Sequence, residues 1–211
     1  MRPLRVETLR ARDRERLVPL WDGYLEGLAA LGAAYRRRAD GRWEYRPPGG
    51  DWGTDHLPYW LAAGDDHRVL VFRLGLGVVG FAMVGLRPAP WMSPGTDACI
   101  AEFYVAPAMR RRGIGQAAAL RILSRWDGRW EISEVPGNLA AIAFWRKILD
   151  RFTAGAYEEL ELPGGLTQRF TTLPPRPRAT HRARVDPSPR GGARRRRATR
   201  TSRGGARAPR R

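Results

Sequence analysis

One stretch of the sequence combines a charged strand, a run of arginines and two closely spaced glycines. It reads Glu102-Phe-Tyr-Val-Ala-Pro-Ala-Met-Arg-Arg-Arg-Gly-Ile-Gly-Gln and ends at Gln116. Glycines allow a backbone to approach an anion closely because no Cβ stands in the way. The first N–H groups of a helix lack internal partners, and the helix dipole there favours negative charge. A strand, a basic loop and a glycine-opened helix in this order predict a pyrophosphate-binding site.

The spacing of these glycines excludes two common nucleotide-binding motifs. A P-loop needs the pattern GxxxxGK[ST] and a Rossmann fold needs GxGxxG, and neither occurs in the stretch 102–116. Taken alone, the hexapeptide at positions 110–115 is also compatible with a basic turn that precedes an ordinary helix. The elements around it therefore decide its meaning.

The rest of the chain alternates between strand-like and helix-like patterns. Period-two or continuous apolar runs predict strands, and apolar residues at intervals of three and four predict helices. We predict strands at 3–9, 67–73, 78–86, 98–105, 129–135, 156–162 and 168–173, and helices capped by Asp13 and at 55–63, 113–126 and 138–149. Positions 35–53 and 87–97 are predicted loops. This order indicates an α/β (α+β) fold with helices packed on a mixed sheet.

A second segment, Asn138-Leu-Ala-Ala-Ile-Ala-Phe-Trp-Arg-Lys, follows the next predicted strand. The stretch 102–116 resembles motif A of the GNAT superfamily of N-acetyltransferases, Q/R-x-x-G-x-G/A, with Arg110, Gly113 and Gly115 at its defined positions. The second segment resembles motif B of that family, N-x-x-A-x-x-[FL]-[YW]-x-K. The resemblance extends more weakly over residues 1–173, which are most similar to a branch of bacterial acetyltransferases with no assigned substrate.

The resemblance implies a GNAT-like mixed, mostly antiparallel central sheet flanked by helices. Strands 98–105 and 129–135 would splay apart to form a cleft for acetyl-CoA, and no metal is expected. Backbone groups near Phe103, Tyr104 and Val105 would bind the pantetheine arm and thioester, and the basic loop would bind the pyrophosphate. The implied cofactor-binding residues are Phe103, Val105, Arg110, Arg111, Arg112, Gly113, Ile114, Gly115, Gln116, Asn138 and Phe144. Asn138 also fits a helix N-cap, and Phe144 also fits core packing.

The implied reaction is direct transfer of an acetyl group to a primary amine of unknown identity. Glu102 is the candidate base, because it is a charged residue in an apolar strand, where burial would raise its pKa. By alternation it should share a face with Ile100 and Tyr104; the alternative is that it pairs with an arginine. Many relatives carry an acidic tyrosine where this chain has Trp145, whose indole N–H is not a usable acid. Tyr104 is the candidate substitute.

An acceptor pocket is expected from the first helix and the predicted loops at 35–58 and 87–97. Five aromatic residues are concentrated before the main strands, and they either line this pocket or anchor a glycine-rich loop as half-buried side chains. They are Trp43, Tyr45, Trp52, Tyr59 and Trp60.

The net charge of +17 is unevenly distributed along the 211 residues. Residues 174–211 hold 14 arginines and one acidic residue, Asp186, and they lack Leu, Ile, Phe, Trp and Tyr. Such a composition predicts a disordered basic tail after a GNAT domain at 1–173. The tail either makes non-specific contact with nucleic acid or another polyanion, or it is a neutral extension. The remainder carries 24 basic and 20 acidic residues, which excludes a wholly basic nucleic-acid-binding fold.

Other protein classes are excluded by single features of the sequence. One cysteine, Cys99, rules out an intrachain disulfide or a cysteine-cluster zinc site. The longest apolar run, at positions 74–86, is too short for a membrane-spanning helix. The N-terminus has no apolar signal-peptide core, so we expect a cytoplasmic protein. Two other functions stay open: a non-catalytic acyl-CoA-binding module, and a protein directed to nucleic acid by its tail.

Overall fold

The computed structural model describes residues 3–162 and 164–172, which form ten strands and four α-helices. The strands are β1 (Leu4–Thr8), β2 (Tyr35–Arg37), β3 (Trp43–Tyr45), β4 (Gly53–Thr54), β5 (His67–Leu74), β6 (Gly77–Leu86), β7 (Ala98–Val105), β8 (Gly128–Glu134), β9 (Tyr157–Leu162) and β10 (Gly165–Thr172). The helices are α1 (Arg14–Ala30), α2 (Leu57–Leu61), α3 (Ile114–Leu123) and α4 (Leu139–Thr153).

Seven strands form the central sheet in the order β1-β5-β6-β7-β8-β10-β9. Only β7 and β8 are parallel; every other neighbouring pair of this sheet is antiparallel. Helices α3 and α4 bury Ile122 and Ile148 on one face of the sheet, and α1 buries Leu17 and Trp21 on the other. The predicted mostly antiparallel sheet flanked by helices is therefore confirmed.

The two parallel strands diverge partway along their length. Their pairing ends at Ile100 of β7 and Ile132 of β8. Beyond this pair β7 keeps its other neighbour, β6, as far as the pairing of Val105 with Gly80. One edge of β7 therefore opens onto a gap between the diverging strands, as the sequence predicts.

A β-bulge interrupts the alternation of β7 just where the strands diverge. Glu102 pairs with Met83 and Ile100 pairs with Val84, so Ala101 is an extra residue. The extra residue moves Glu102 to the α1 face, whereas Ile100 packs in the core beneath α3 and α4. The expectation that Glu102 and Ile100 share a face is wrong, because simple period-two alternation takes no account of a bulge.

Positions 35–53, predicted to be a loop, contain short strands instead. Strands β2, β3 and β4 form a separate small sheet. Tyr35 pairs with Tyr45, and Arg36 forms a 2.7 Å ion pair with its cross-strand partner Glu44. These strands have two or three residues each, so they are too short to show a hydrophobic period in the sequence.

The predicted helix cap Asp13 has a different partner. Its carboxylate makes no capping hydrogen bond to α1 and forms a 2.8 Å ion pair with the buried Arg73 of β5. This contact joins the start of α1 to the sheet, which a local capping rule does not anticipate. The predicted basic tail, 174–211, lies outside the described residues. Within the described part of the chain, no helix is long and apolar enough to cross a membrane.

The close packing of β6 against β7 gives a test of the fold. A Cβ at Gly80 would collide with the Tyr104 carbonyl oxygen and would lie 2.7 Å from the Phe72 ring. We expect Gly80→Ala to lower the free energy of unfolding by about 1–3 kcal/mol, because the backbone and a buried ring must move. Gly77→Ala on the same strand is the control, since its Cβ would meet only ordinary van der Waals contact at 3.7 Å. Equal stability of both variants in urea titrations would contradict this packing.

Candidate active site

A cavity of about 630 Å³ occupies the gap between the diverging ends of β7 and β8. We call this cavity the cleft. Its lining includes residues 100–103 of β7, residues 132–136 around the end of β8, the start of α4, and parts of α1 and the 31–49 segment. The diverging strands therefore form one side of the cleft. Residues of α1, the 31–49 segment and the start of α4 surround the rest of it.

Glu102 is the charged group of β7 that lines the cleft. Its carboxylate accepts a short hydrogen bond from the Tyr24 hydroxyl of α1. Burial raises the pKa of Glu102 to about 7, and the Tyr24 hydrogen bond opposes part of that rise. Burial and the neighbouring Glu102 charge raise the pKa of Tyr24 well above its ordinary value, so Tyr24 remains a donor. Glu102 can therefore exchange a proton near neutral pH.

Aromatic side chains form the wall of the cleft opposite the strands. Tyr24, Tyr35 and Tyr45 line it, and the Tyr35 and Tyr45 rings lie 5.0 Å apart. His56 packs edge-on against Tyr45 at 4.5 Å, and burial lowers the pKa of this histidine. Such a wall offers π faces and hydroxyl groups to a substrate on the Glu102 side of the cleft.

The other predicted pocket aromatics have different places. Trp43 donates its indole N–H to Asp22 of α1, and Trp52 lies under the Arg36 guanidinium. Tyr59 and Trp60 cluster with Trp91 of the 87–97 loop, away from the cleft. Of the five predicted residues, the cleft lining includes Tyr45 alone. The 87–97 loop does not contribute to the cleft.

Backbone amides of β7 face the open edge. The Ala106 N–H donates to the Val79 carbonyl of β6, on the closed side. Because amide directions alternate along a strand, the N–H groups of Val105 and Phe103 point to the opposite side, into the gap between the strands. These are two of the predicted cofactor-binding positions, and the edge they occupy has no strand partner.

The N-terminus of α3 has the geometry that an anion site requires. Gly113 is the N-cap residue in a left-handed conformation at φ +74°, and a Cβ there would point into open space. Arg111 is also left-handed, at φ 60°, so the basic loop bends sharply before the helix. A bulky dianion could therefore approach the free N–H groups of the first turn, which fits a pyrophosphate.

The side chains around this turn differ in their exposure. Arg111, Arg112 and Gly113 are exposed, whereas Ile114 is buried and anchors the helix in the core. Gln116 is half-buried on the first turn. Arg110 donates through Nε to the Val105 carbonyl at 2.9 Å, and its guanidinium lies 5.4 Å from the centre of the Tyr104 ring.

Helix α4 begins at the cleft with Asn138. The Asn138 side-chain oxygen accepts a hydrogen bond from the Ala141 N–H at 3.2 Å, so the predicted cap is present. Its NH₂ group is the part able to donate to a ligand, and Asn138 lines the cleft. Phe144 packs on Gly115 of α3, whose Cβ would lie 3.3 Å from the ring. Trp145, only 4% exposed, lines the cleft and meets the Phe103 ring edge-on.

The structure places the second predicted catalytic residue, Tyr104, beneath α1. It is buried, and its hydroxyl lies against Gly23, where an added Cβ would be 2.8 Å away. Tyr104 is not among the residues that line the cleft. Tyr104 does not face the gap, so its position does not support the predicted role as a proton donor.

Glu134, at the end of β8, is the carboxylate that the sequence analysis did not single out. It lines the cleft and is 4% exposed, and neither carboxylate oxygen has a hydrogen-bond partner among the described residues. Burial and the negative charge of Glu159 raise the pKa of Glu134 to about 7, against the opposing charge of Arg146. The signal that selected Glu102, one acid in an apolar strand, did not apply to Glu134, because β8 also carries Arg129, Glu131 and Ser133.

The geometry indicates a class of protein before any comparison. A splayed parallel pair, a helix N-terminus opened by glycine and a carboxylate whose pKa is raised to about 7 in the cleft are compatible with an acyl-transfer site. A family model, described as the acetyltransferase (GNAT) family, matches residues 20–150. The chain belongs to this family, whose members use acetyl-CoA, and the predicted family and cofactor are confirmed.

Solved structures of low sequence identity share the fold. An acetyltransferase from Thermus thermophilus has 17% identity and a TM-score of 0.50, covering 80% of this chain and 97% of its own. A ribosomal-protein-alanine N-acetyltransferase from Brucella melitensis has 18% identity and a TM-score of 0.52, with 80% and 99% covered. A PaiA N-acetyltransferase from Thermoplasma acidophilum, in complex with coenzyme A, has 10% identity and a TM-score of 0.52, with 81% and 99% covered. A search of curated proteins finds no match.

The unpaired Glu134 predicts a pH-dependent stability. Its pKa is raised from 4.5 to about 7 in the folded protein, so the folded state binds more protons than the unfolded state between these values. The contribution of Glu134 to stability therefore falls as pH rises, by about 3 kcal/mol between about pH 4 and pH 8. We expect Glu134→Gln to remove this part of the pH dependence and to be the more stable protein at pH 8.

Urea titrations at several pH values measure this difference. Glu158→Gln on β9 is the control, because Glu158 is exposed and does not line the cleft. If the free energy of unfolding changes with pH equally in Glu134→Gln and in the parent protein, Glu134 is not a buried, unpaired carboxylate.

Proposed function

We propose that the protein is an acetyl-CoA-dependent N-acetyltransferase that moves the acetyl group directly to a primary amine. The observation that carries this proposal is Glu102, a carboxylate of near-neutral pKa at the point where β7 and β8 diverge. A direct transfer needs a group that accepts the proton of the amine beside the acetyl donor, and Glu102 supplies it. Family membership supports the acetyl donor.

The proposed donor site is built from the backbone of β7 and the first turn of α3. Acetyl-CoA supplies an acetyl group activated as a thioester. The Val105 and Phe103 amides would bind its pantetheine arm and acetyl carbonyl along the open edge of β7. The N–H groups after Gly113 would bind its pyrophosphate, with Arg111 and Arg112 adding positive charge at the exposed loop. The Asn138 NH₂ group would donate to the same arm from the start of α4.

The proposed acceptor approaches from the tyrosine-lined side of the cleft. An amine arrives at neutral pH mostly as an ammonium ion, which a Glu102 carboxylate and the Tyr35 ring attract. Transfer of one proton to Glu102 produces the neutral amine that can attack the thioester. Burial raises the pKa of Tyr35 above its usual range, so this wall stays uncharged and leaves the proton to Glu102. Both a small molecule and a peptide amine fit this description.

The pyrophosphate site can be tested with a matched pair of variants. Gly113→Asn and Gly113→Asp place side chains of nearly equal size in the same left-handed position, which both residues tolerate. Only the aspartate adds a negative charge where the pyrophosphate is proposed to bind. We expect acetyl-CoA to bind Gly113→Asp at least about tenfold more weakly than Gly113→Asn in calorimetric titrations. Equal affinities in the two folded variants would refute this position for the pyrophosphate.

The base can be tested by its pH dependence. Glu102→Gln keeps the size of the side chain but cannot accept the proton, so turnover should fall by roughly 10²–10⁴ near neutral pH. The loss should shrink as pH rises, because more of the amine is then already neutral. Thiol release from acetyl-CoA over a panel of amines is the measurement, and acetyl-CoA affinity should be unchanged.

Tyr24→Phe is the control for this variant. The Tyr24 hydrogen bond lowers the pKa of Glu102, so its removal should move the acidic limb of the pH–rate profile to higher pH. Wild-type turnover in folded Glu102→Gln would remove Glu102 from the reaction. Tight binding of acetyl-CoA by the parent protein without thiol release, with every amine, would favour a non-catalytic acyl-CoA-binding module.

A further inference from the structure

Transfer to an amine leaves one proton unassigned in the cleft. This inference rests on the function proposed above: when the thioester breaks, the departing sulfur carries a negative charge that a proton donor would neutralise. Trp145 stands where many relatives carry an acidic tyrosine, and an indole N–H does not act as an acid. The Tyr104 hydroxyl is packed against Gly23 of α1. The described cleft must hold another donor if the sulfur is to be protonated there.

Glu134 lies in a position equivalent to that of Glu102 on the opposite strand. Each glutamate comes two residues after the last β7–β8 pair, Ile100 with Ile132. The bulge directs Glu102 to the α1 face, whereas Glu134 follows Trp130 and Ile132 on the α4 face. A substrate that lies between the two strands would therefore have one carboxyl group on each side.

The surroundings of Glu134 leave its carboxyl group available to a ligand. The residue is only 4% exposed, it lines the cleft, and both its oxygens are without hydrogen-bond partners in the described part of the chain. A buried carboxyl group in that state is costly unless a ligand or a proton satisfies it. Glu134 is thus a buried carboxyl group without a hydrogen-bond partner among the described residues, and it lies at the wall of the proposed thioester site.

The charged neighbours of Glu134 are already engaged with each other. Arg146 of α4 makes two hydrogen bonds to Glu159 of β9, at 2.8 and 2.6 Å, and Gln168 of β10 donates to Glu159 at 2.7 Å. On the far side of the cleft stand Glu102 and its partner Tyr24. None of these neighbours supplies a free positive charge that would hold Glu134 ionised, and burial raises its pKa to about 7.

We propose that Glu134 is the general acid that protonates the departing sulfur of acetyl-CoA, on the opposite side of the cleft from Glu102. After Glu102 has passed the ammonium proton to solvent, the neutral amine nitrogen forms a bond to the acetyl carbon and gives its next proton to the Glu102 carboxylate. The carbon–sulfur bond breaks with its electron pair on sulfur, which takes the proton of the Glu134 carboxyl group. The products are the acetylated amine and the CoA thiol. Glu102 then returns its proton to solvent and Glu134 regains one from it, so no other reactant is needed.

A structural role for the Glu134 proton is the competing account. The Gln168 side-chain oxygen is also buried and has no partner among the described residues. Gln168 pairs with Ile132, and paired residues of neighbouring strands lie on the same face of the sheet. Glu134 is two residues from Ile132 on β8, so it lies on this face too. A protonated Glu134 that donates only to Gln168 would stabilise the sheet and take no part in the reaction.

The first experiment needs no turnover. The thiol of bound CoA is titrated by the ultraviolet absorbance of its thiolate, in the parent protein and in Glu134→Gln. Above neutral pH the Glu134 carboxylate disfavours a thiolate beside it, so the acid dissociation constant of the bound thiol should rise about tenfold in the variant. Equal constants in the two proteins overturn the assignment. If Glu134→Gln does not fold, Glu134→Met, of similar volume, replaces it.

The second experiment is the pH–rate profile of kcat. In the parent protein, loss of the Glu134 proton should lower kcat above about pH 7. The Glu134→Gln variant should show no such decrease at alkaline pH, and its maximal kcat should be roughly 10²-fold lower. Gln168→Leu should keep the alkaline limb of the profile. If Gln168→Leu also lacks this limb, the role of Glu134 is structural and the proposal is overturned. If no amine is acetylated, the proposed function fails, while the thiol titration still decides whether Glu134 faces the sulfur.

Discussion

The end of the hydrogen bonding between β7 and β8 determines the rest of the site. A strand inside a sheet ordinarily satisfies its backbone on both sides, and β7 does so only as far as Ile100. Beyond that residue its amides have β6 on one side and the cleft on the other. A ligand that lies along this edge completes the sheet in the manner of an added strand. The same divergence opens the cleft that the cap of α4 faces, whereas the residues at the start of α3 are not among those that line it.

The bulge at Ala101 converts this gap into a site with two distinct sides. Without the extra residue, Glu102 would lie on the face of α3 and α4, together with Glu134. With it, one carboxyl group faces Tyr24 of α1 and the other faces α4. The pKa of each carboxyl group is raised to about 7, so near neutral pH a fraction of the molecules holds Glu102 ionised and Glu134 protonated. The arrangement costs folding stability above neutral pH, which is a common property of sites built for proton transfer.

The two sides of the cleft differ in how far family membership describes them. The proposed donor side consists of backbone edges, glycines and a helix cap, in the segments that resemble motif A and motif B of the family. The proposed acceptor side is lined by Tyr24, Tyr35 and Tyr45, and two of these belong to a small sheet of short strands. The three solved structures described above have 10–18% identity with this chain, so they show its fold alone. The side chains that would contact the proposed acceptor are therefore those of this chain's own tyrosines.

The sequence by itself determined the features that depend on neighbouring residues. The glycines at 113 and 115, the arginines before them, the Asn138 cap and the alternating elements all act within one turn or one strand, so their spacing is visible in the chain. The order of these elements predicted a mixed sheet with helices packed on it, and the resemblance of the two motifs to those of the GNAT family implied the family and the splayed pair. Boundaries of β7 and most other elements agree with the prediction within a few residues.

Only the tertiary structure decided the direction in which the acidic side chains point. The bulge arises from the register of β6 against β7, so period-two alternation placed Ile100 wrongly beside Glu102. The pairing of Asp13 with Arg73 replaced a local cap with a contact between residues 60 positions apart. Glu134 became a candidate through its burial and its place in the parallel pair, neither of which a single strand reveals. Local spacing encodes backbone conformation, whereas pKa and proton transfer depend on which distant groups share a buried space.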